Sequence, residues 1–244
     1  MKKSLIVANW KMNPLTLKKA EALFRGINRG FKKAEVVICP PSVFLFSAKT
    51  NFSLGAQDCF WEKEGAFNGE ISPYQLKSIG CKYVILGHSE RRKYFNETNE
   101  IIGKKIKKGL EAGLKPILCI GETMEEKNHV GDVLKKQIKQ SLKGVSRKNA
   151  EKISIAYEPI WAIGSGSSCP VERAKSITLL IRKILSGLYN TKKIRILYGG
   201  SVNSKNASLY VEKAGLDGLL IGGASLKPKE FLKIIKNISK LYSL

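Results

Sequence analysis

Eight short apolar runs alternate with longer segments of helical period from one end of the chain to the other. The runs are Leu5–Asn9, Val36–Cys39, Leu54–Gln57, Tyr83–Gly87, Pro116–Ile120, Ile153–Tyr157, Ile194–Tyr198 and Gly218–Ile221. Between them, Leu134, Ile138 and Leu142 recur every fourth residue, Ile177, Ile181, Ile184 and Leu188 form a similar stripe, and Ile234, Ile238 and Leu241 form a third. Most of the strand runs lack polar alternation, the pattern of strands covered on both faces. Eight strand–helix units of about 30 residues each predict an α/β fold, a single (β/α)₈ barrel that takes residues 1–244 as one domain. A doubly wound open sheet is the alternative. The first strand lacks the Gly-x-Gly-x-x-Gly turn of that fold, and no linker divides the chain.

Composition narrows the function classes. The chain is 43% hydrophobic and 26% charged, ordinary for a globular protein, and no apolar run approaches the length of about 20 residues that spans a bilayer. The start Met1-Lys2-Lys3, followed by Ser4–Ala8, superficially resembles a signal peptide, but Asn9 and Lys11 interrupt it at once. A cytoplasmic location is expected, with no membrane partner. The five cysteines include no Cys-x-x-Cys pair and there are only two histidines, His88 and His129, so neither disulfides nor a metal site are expected. The net charge of +23 admits an anionic partner, but the basic residues recur along the whole chain without interleaved aromatics. This favours solvated helix faces over a specific nucleic-acid surface.

The unusual polar residues cluster by position. Asn9 and Lys11, His88, Glu158, Ser201 and Gly222-Gly223 all follow C-terminal ends of predicted strands, which in a barrel converge on one face. Read alone, each stays open. Lys11 could be solvated, or could neutralise an oxyanion or phosphate. His88 precedes Ser89, positioned to cap the next helix, where the helix dipole disfavours imidazolium; it could equally be a structural histidine. Glu158 could cap a loop, or act as a base beside a carbonyl. The segment after it, Pro159-Ile160-Trp161 and then Ala162–Gly166, is rigid at its start and glycine-bearing beyond, the makeup of a hinged lid. Tyr198-Gly199-Gly200-Ser201 and Ile221-Gly222-Gly223 follow the last two strands, where backbone N–H groups could approach a phosphate closely.

In order along the chain stand Ala8-Asn9-Trp10-Lys11-Met12-Asn13, Gly55-Ala56-Gln57, Gly69-Glu70-Ile71-Ser72-Pro73 and Leu86-Gly87-His88-Ser89-Glu90-Arg91-Arg92. Cys119-Ile120-Gly121-Glu122, Ala156-Tyr157-Glu158-Pro159-Ile160-Trp161-Ala162-Ile163-Gly164, Tyr198-Gly199-Gly200-Ser201-Val202 and Gly222-Gly223-Ala224-Ser225-Leu226 complete the set. With these motifs the chain resembles the triosephosphate isomerases, essentially from end to end, and the resemblance implies their TIM barrel. It implies Glu158 as the base, neutral His88 as the electrophile, Lys11 as the stabiliser of developing charge, and Asn9 as its orienting neighbour; this acid–base pairing is a standard worked case of tuned side chains. It further implies phosphate binding by the N–H groups of Gly164, Ser201 and Gly223 beside Gly222. Pro159, Trp161, Ile163, Gly166 and Tyr198 belong to the lid and its surroundings, and Ile163 and Leu220 desolvate the base. Ser89 holds Glu158 in the open site, and Glu90 acts behind the substrate-touching groups.

The same resemblance implies a triose phosphate substrate, no cofactor and a homodimer whose third loop, with Gln57, Asn68 and Glu70, reaches the partner's site. The sequence departs from the family pattern at Asn68, where a threonine is usual, at Ser167, where lysine is common, and at Ser168-Cys169-Pro170, where the proline is shifted by one residue. Another phosphate-binding barrel isomerase or lyase shares the glycine turns but not the set Asn9, Lys11, His88 and Glu158. A basic nucleic-acid-binding protein would explain the charge and none of the strand-end residues.

Overall fold

The computed structural model describes residues 3–28, 33–48, 51–163 and 168–242. Eight parallel strands close into a barrel in sequence order: β1 (Ser4–Asn9), β2 (Ala34–Cys39), β3 (Ser53–Ala56), β4 (Cys81–Leu86), β5 (Lys115–Ile120), β6 (Ser154–Tyr157), β7 (Arg195–Tyr198) and β8 (Gly218–Ile221). Every strand bound agrees with the sequence expectation to within two residues. The barrel closes where β8 pairs β1 in the register Leu5↔Gly218. Glycine is required there, because a Cβ on Gly218 would lie 1.9 Å from the Leu5 carbonyl oxygen.

The helices are α1 (Leu17–Ile27), α2 (Pro73–Ser78), α3 (Ser89–Phe95), α4 (Asn99–Glu111), α5 (Val130–Ser141), α6 (Arg147–Ala150), α7 (Val171–Tyr189), α8 (Ala207–Glu212) and α9 (Pro228–Lys240). The expected one-to-one alternation fails after β2, where the described residues form only a 3₁₀ turn, Ser42–Phe44. Local chemistry fixes the helix starts. Ser72 caps α2 in a reciprocal pair with Gln75, and Pro73 sets the first helical residue.

The strands bury most of both faces, which is why they read as largely apolar runs. Leu5, Val7, Val37, Cys39, Tyr83, Ile85, Ile117, Cys119, Ala156, Leu197 and Leu220 fill the barrel interior. The alternate residues, such as Ile6, Ala8, Ile38, Val84 and Leu86, pack outward against the helices. Leu134, Ile138 and Leu142 are buried as expected, and so are Ile234 and Ile238. The expectation fails at Leu188, which is 40% exposed, while Leu185 is buried. At 19 residues α7 is far longer than the four-residue strand β7 it leads into, so its last turn overshoots the sheet. All five cysteines are free and buried.

Candidate active site

A cavity of about 360 Å³ opens at the C-terminal ends of the strands, lined by Asn9, Lys11, His88, Glu158, Ile163, Ser201, Leu220, Gly222 and Gly223 among others. Residues separated by most of the chain's length meet there because each follows a different strand of one closed barrel.

After β1 the chain turns sharply. Lys11 has φ of 52°, a left-handed conformation that side chains other than glycine rarely adopt. The turn is held on two sides. The Lys11 N–H donates to Asn9 Oδ1 at 3.1 Å, and the Gln57 amide donates to the carbonyls of Lys11 and Cys39, both at 2.9 Å. Its ammonium then reaches Glu90 Oε1 at 2.6 Å. Gln57, expected in the loop that meets a partner, thus braces the lysine of its own chain.

His88 itself, and not Ser89, caps α3. Its Nδ1 accepts the Glu90 N–H at 3.3 Å. The physical reason is orientation: the imidazole folds back over the first turn, as a short polar side chain at this position does. With Nδ1 occupied as acceptor, a neutral ring carries its proton on Nε2. That nitrogen lies 3.2 Å from Glu158 Oε1.

Glu158 follows β6 and is almost fully buried. Its N–H donates to the Ile120 carbonyl at 2.7 Å, continuing the sheet one residue beyond the strand, and its Oε2 accepts the Ser89 backbone N–H at 3.2 Å. It is the Ser89 backbone N–H that holds the carboxylate here. Neighbouring backbone crowds it closely. A Cβ on Gly121 would sit 1.8 Å from the Glu158 carbonyl oxygen, and one on Gly199 would sit 2.8 Å from Glu158 Cγ. On β5, burial and then the adjacent carboxylate push the Cys119 thiol well above its usual range. The thiol therefore remains a neutral donor beside Glu158.

The segment after Glu158 begins with Pro159 and a 3₁₀ turn, Ile160–Ala162. It is tied down by Glu122, a residue the sequence reading did not single out. Fully buried, Glu122 accepts from Tyr157 Oη at 3.1 Å, Trp161 Nε1 at 3.0 Å and Arg173 Nη2 at 3.1 Å. Farther on, the Cys169 N–H donates to Tyr198 Oη at 3.0 Å, and Tyr210 Oη donates to the Cys169 carbonyl at 2.6 Å. Gly164 and Gly166 lie outside the described residues. Ser201 Oγ donates to the Ala162 carbonyl at 2.8 Å, and Gly222 precedes the 3₁₀ turn Gly223–Leu226. Asn68 and Glu70 lie exposed in the loop after β3, away from the cavity lining.

Arg92, Glu122 and Gln137 were the supporting residues missed, while Gln57 was expected to face a partner and also braces Lys11 of its own chain. Gln137 holds Gly121 by both its N–H and its carbonyl, each at 2.9 Å. The available signal was a polar residue beside an apolar strand end, which does not reveal where its side chain points.

Chemically, the cavity offers a carboxylate, an imidazole N–H and an ammonium facing one small space, with two glycine-bearing turns on its far side. Such a set can move a proton next to a carbonyl while holding an anion. The described residues include no helix long and apolar enough to cross a membrane. The family model for triosephosphate isomerase matches residues 4–238. The triosephosphate isomerase of Dictyoglomus thermophilum is 49% identical, over 97% of this chain and 100% of the relative. Those of Alkaliphilus oremlandii (46%, covering 96% and 99%) and Endomicrobium trichonymphae (42%, covering 97% and 99%) are similar over the same extent. With residues 4–238 matched and such identity from end to end, the chain belongs to the triosephosphate isomerase family.

Proposed function

We propose that the chain interconverts dihydroxyacetone phosphate and D-glyceraldehyde 3-phosphate, with Glu158 as base and His88 as electrophile. The observation that carries the reading is the Glu158–His88 pair, 3.2 Å apart in a cavity that Lys11 also enters. In the reaction, Glu158 leaves the Ser89 N–H and its 3.2 Å contact with His88, and takes a proton from the carbon beside the carbonyl. His88 Nε2–H donates to the carbonyl oxygen, and the Lys11 ammonium, oriented through Asn9, faces the charge that develops there. The enediol(ate) is reprotonated at the neighbouring carbon by the same carboxyl. The substrate's own carbonyl acidifies the proton, so no cofactor is needed.

The phosphate would sit against the backbone N–H groups of Ser201 and Gly223, beside Gly222 and with Gly164 from the lid. Closure of the segment that begins at Pro159 would exclude water, and Ile163 and Leu220 would cover the base. Glu90 and Ser89 serve the resting state, the first on Lys11 and the second on Glu158. Pro159, Trp161, Gly166 and Tyr198 belong to the lid and its supports.

We also propose a homodimer. Met12, Val43, Phe46 and Phe95 are between 64% and 89% exposed and lie on connections that follow β1, β2 and β4. The exposed loop carrying Asn68 and Glu70 follows β3, between them. Large apolar side chains concentrated on successive connections fit an interface better than a solvated surface. One domain over the chain and a cytoplasmic location complete the proposal, the second in keeping with five free cysteines.

Turnover of D-glyceraldehyde 3-phosphate by the wild type and by Glu158→Gln tests the reading. Loss of about 10³-fold in kcat, with the fold retained, is expected for removal of the general base. Activity that survives the substitution would remove Glu158 from that role, and an inactive wild type would remove the reaction.

A further inference from the structure

Arg92, on α3, makes three hydrogen bonds with one guanidinium. Nε donates to the Gly87 carbonyl at 2.8 Å, Nη2 to the Cys119 carbonyl at 3.2 Å, and Nη1 to Asn99 Oδ1 at 2.7 Å. The first two acceptors stand at the ends of β4 and β5. Gly87 leads directly into His88, and Cys119 carries the thiol that meets Glu158. Arg92 also lines, with Ser89, Gly121 and Glu158, a small cleft separate from the main cavity.

The charge of this half-buried side chain has no partner at ion-pair distance among the described residues. Three groups face it through the protein: Cys119, Glu158 and Glu97. Cys119 remains a neutral thiol. Glu97 is already engaged by two cations, Arg91 at 2.6 Å and Lys105. Glu158 is therefore the carboxylate left to balance Arg92. From its own side Glu158 is faced by His88 at the end of β4, Cys119 on β5 and Arg92 on α3, and it shares the main cavity with Lys11 after β1. Of the two cations, Lys11 is already paired with Glu90 at 2.6 Å, which leaves Arg92 as the one without a carboxylate of its own among the described residues.

We infer that Arg92 is a positioning residue for the isomerase reaction. Its fork fixes the strand ends that carry His88 and Cys119, and its charge stands beside Glu158 in the cleft that the two line together. The inference rests on the isomerase reading above. A fixed cation behind a desolvated carboxylate favours the charged form that the base must start from.

The test is the pH dependence of kcat and kcat/KM for D-glyceraldehyde 3-phosphate in Arg92→Met, Arg92→Lys and Asn99→Asp, each checked for fold by circular dichroism. The substrate phosphate titrates alike in all of them, so differences between profiles belong to the protein. Arg92→Met is expected to lower kcat by about 10- to 100-fold and to move the acidic limb upward by about one pH unit. Arg92→Lys retains the charge and loses the fork, so kcat falls while the limb stays near the wild type. Asn99→Asp leaves guanidinium and fork in place but offers the charge a carboxylate of its own, so the limb rises with kcat little changed.

Profiles of Arg92→Met and Asn99→Asp that superimpose on the wild type overturn the inference, as does a limb that moves equally in Arg92→Lys and Arg92→Met. Should Arg92→Met not fold, Asn99→Asp decides alone. A wild type without turnover overturns the isomerase reading and this inference with it, whereas turnover with superimposed profiles overturns the inference only.

Discussion

Between Gly199 and the side chain of Glu158 there is no room for a methyl group, since a Cβ there would come within 2.8 Å of Glu158 Cγ and 3.4 Å of the Tyr157 carbonyl. Gly199→Ala must therefore displace the carboxylate, while the strand end stays fixed by the hydrogen bond from Gly199 N–H to Tyr157. A misplacement of about 1 Å at a reacting group costs up to about 10²-fold in rate. We expect Gly199→Ala to lower kcat by about 10- to 100-fold with a loss of roughly 1–3 kcal/mol in stability, the usual cost of overpacking. Steady-state kinetics with urea unfolding would show it; unchanged kcat would mean that Glu158 does not need this position. The positions of Asn9, Lys11, His88 and Glu158 were legible in the sequence because each stands at or just after a strand end, whereas the roles proposed for them came from the family resemblance. The supporting roles of Arg92 and Glu122, and the bracing of Lys11 by Gln57, were not legible, because they depend on side-chain directions that only the closed barrel fixes. His88 as its own helix cap was hidden for the same reason: histidine at that position carries no cap signal comparable to the serine beside it.

The strands illustrate why elements were easier to read than residues. Burial on both faces gives eight largely apolar runs, whose observed bounds fall within two residues of those expected. The polar exceptions lie at the other end of the barrel. Glu35 of β2 points inward with Tyr83 of β4 and Arg195 of β7, accepting from Tyr83 Oη and from Arg195 Nη1, the latter at 2.6 Å. Burial pushes the Glu35 carboxyl up, but these hydrogen bonds and the charges of Arg195 and Lys115 outweigh it and hold the group below the usual carboxylate value. A carboxyl depressed in the folded state stabilises fully above its unfolded value of about 4.5 and loses that contribution as pH falls through the folded one. Glu35→Gln should cost roughly 1–3 kcal/mol near neutral pH, as expected for hydrogen bonds to a charged group. The gap to wild type should then narrow as unfolding is measured at pH values progressively below about 4.5. A gap independent of pH would show that the charge contributes nothing. At α7 the sequence stripe extended one turn too far because helical period reports which face is apolar, not where the sheet beneath it ends.

At the scale of the molecule, the net charge of +23 sets two processes against each other. A phosphorylated substrate is attracted to a cationic protein, so kcat/KM should decline as salt is raised wherever encounter limits the rate. Two copies of the chain repel each other, so the proposed dimer should tighten over the same range. Its apolar side chains supply the opposing term, with Phe46 89% and Met12 87% exposed in the single chain. Burying a phenylalanine side chain is worth about 1.5–3 kcal/mol, and placing a carboxylate there removes that and adds desolvation. We expect Phe46→Asp to raise the dimer dissociation constant by at least about 10²-fold in sedimentation experiments. The Lys11 turn, adjacent to Met12, would lose its cover, and kcat should fall with the dimer population. Raising salt from about 20 to 200 mM shortens the screening length from about 20 to 7 Å, and should strengthen the wild-type dimer while leaving Phe46→Asp monomeric. A wild type that sediments as a monomer at micromolar concentration and still turns over fully would refute the interface, and would leave exposed Phe46 and Phe95 needing another explanation.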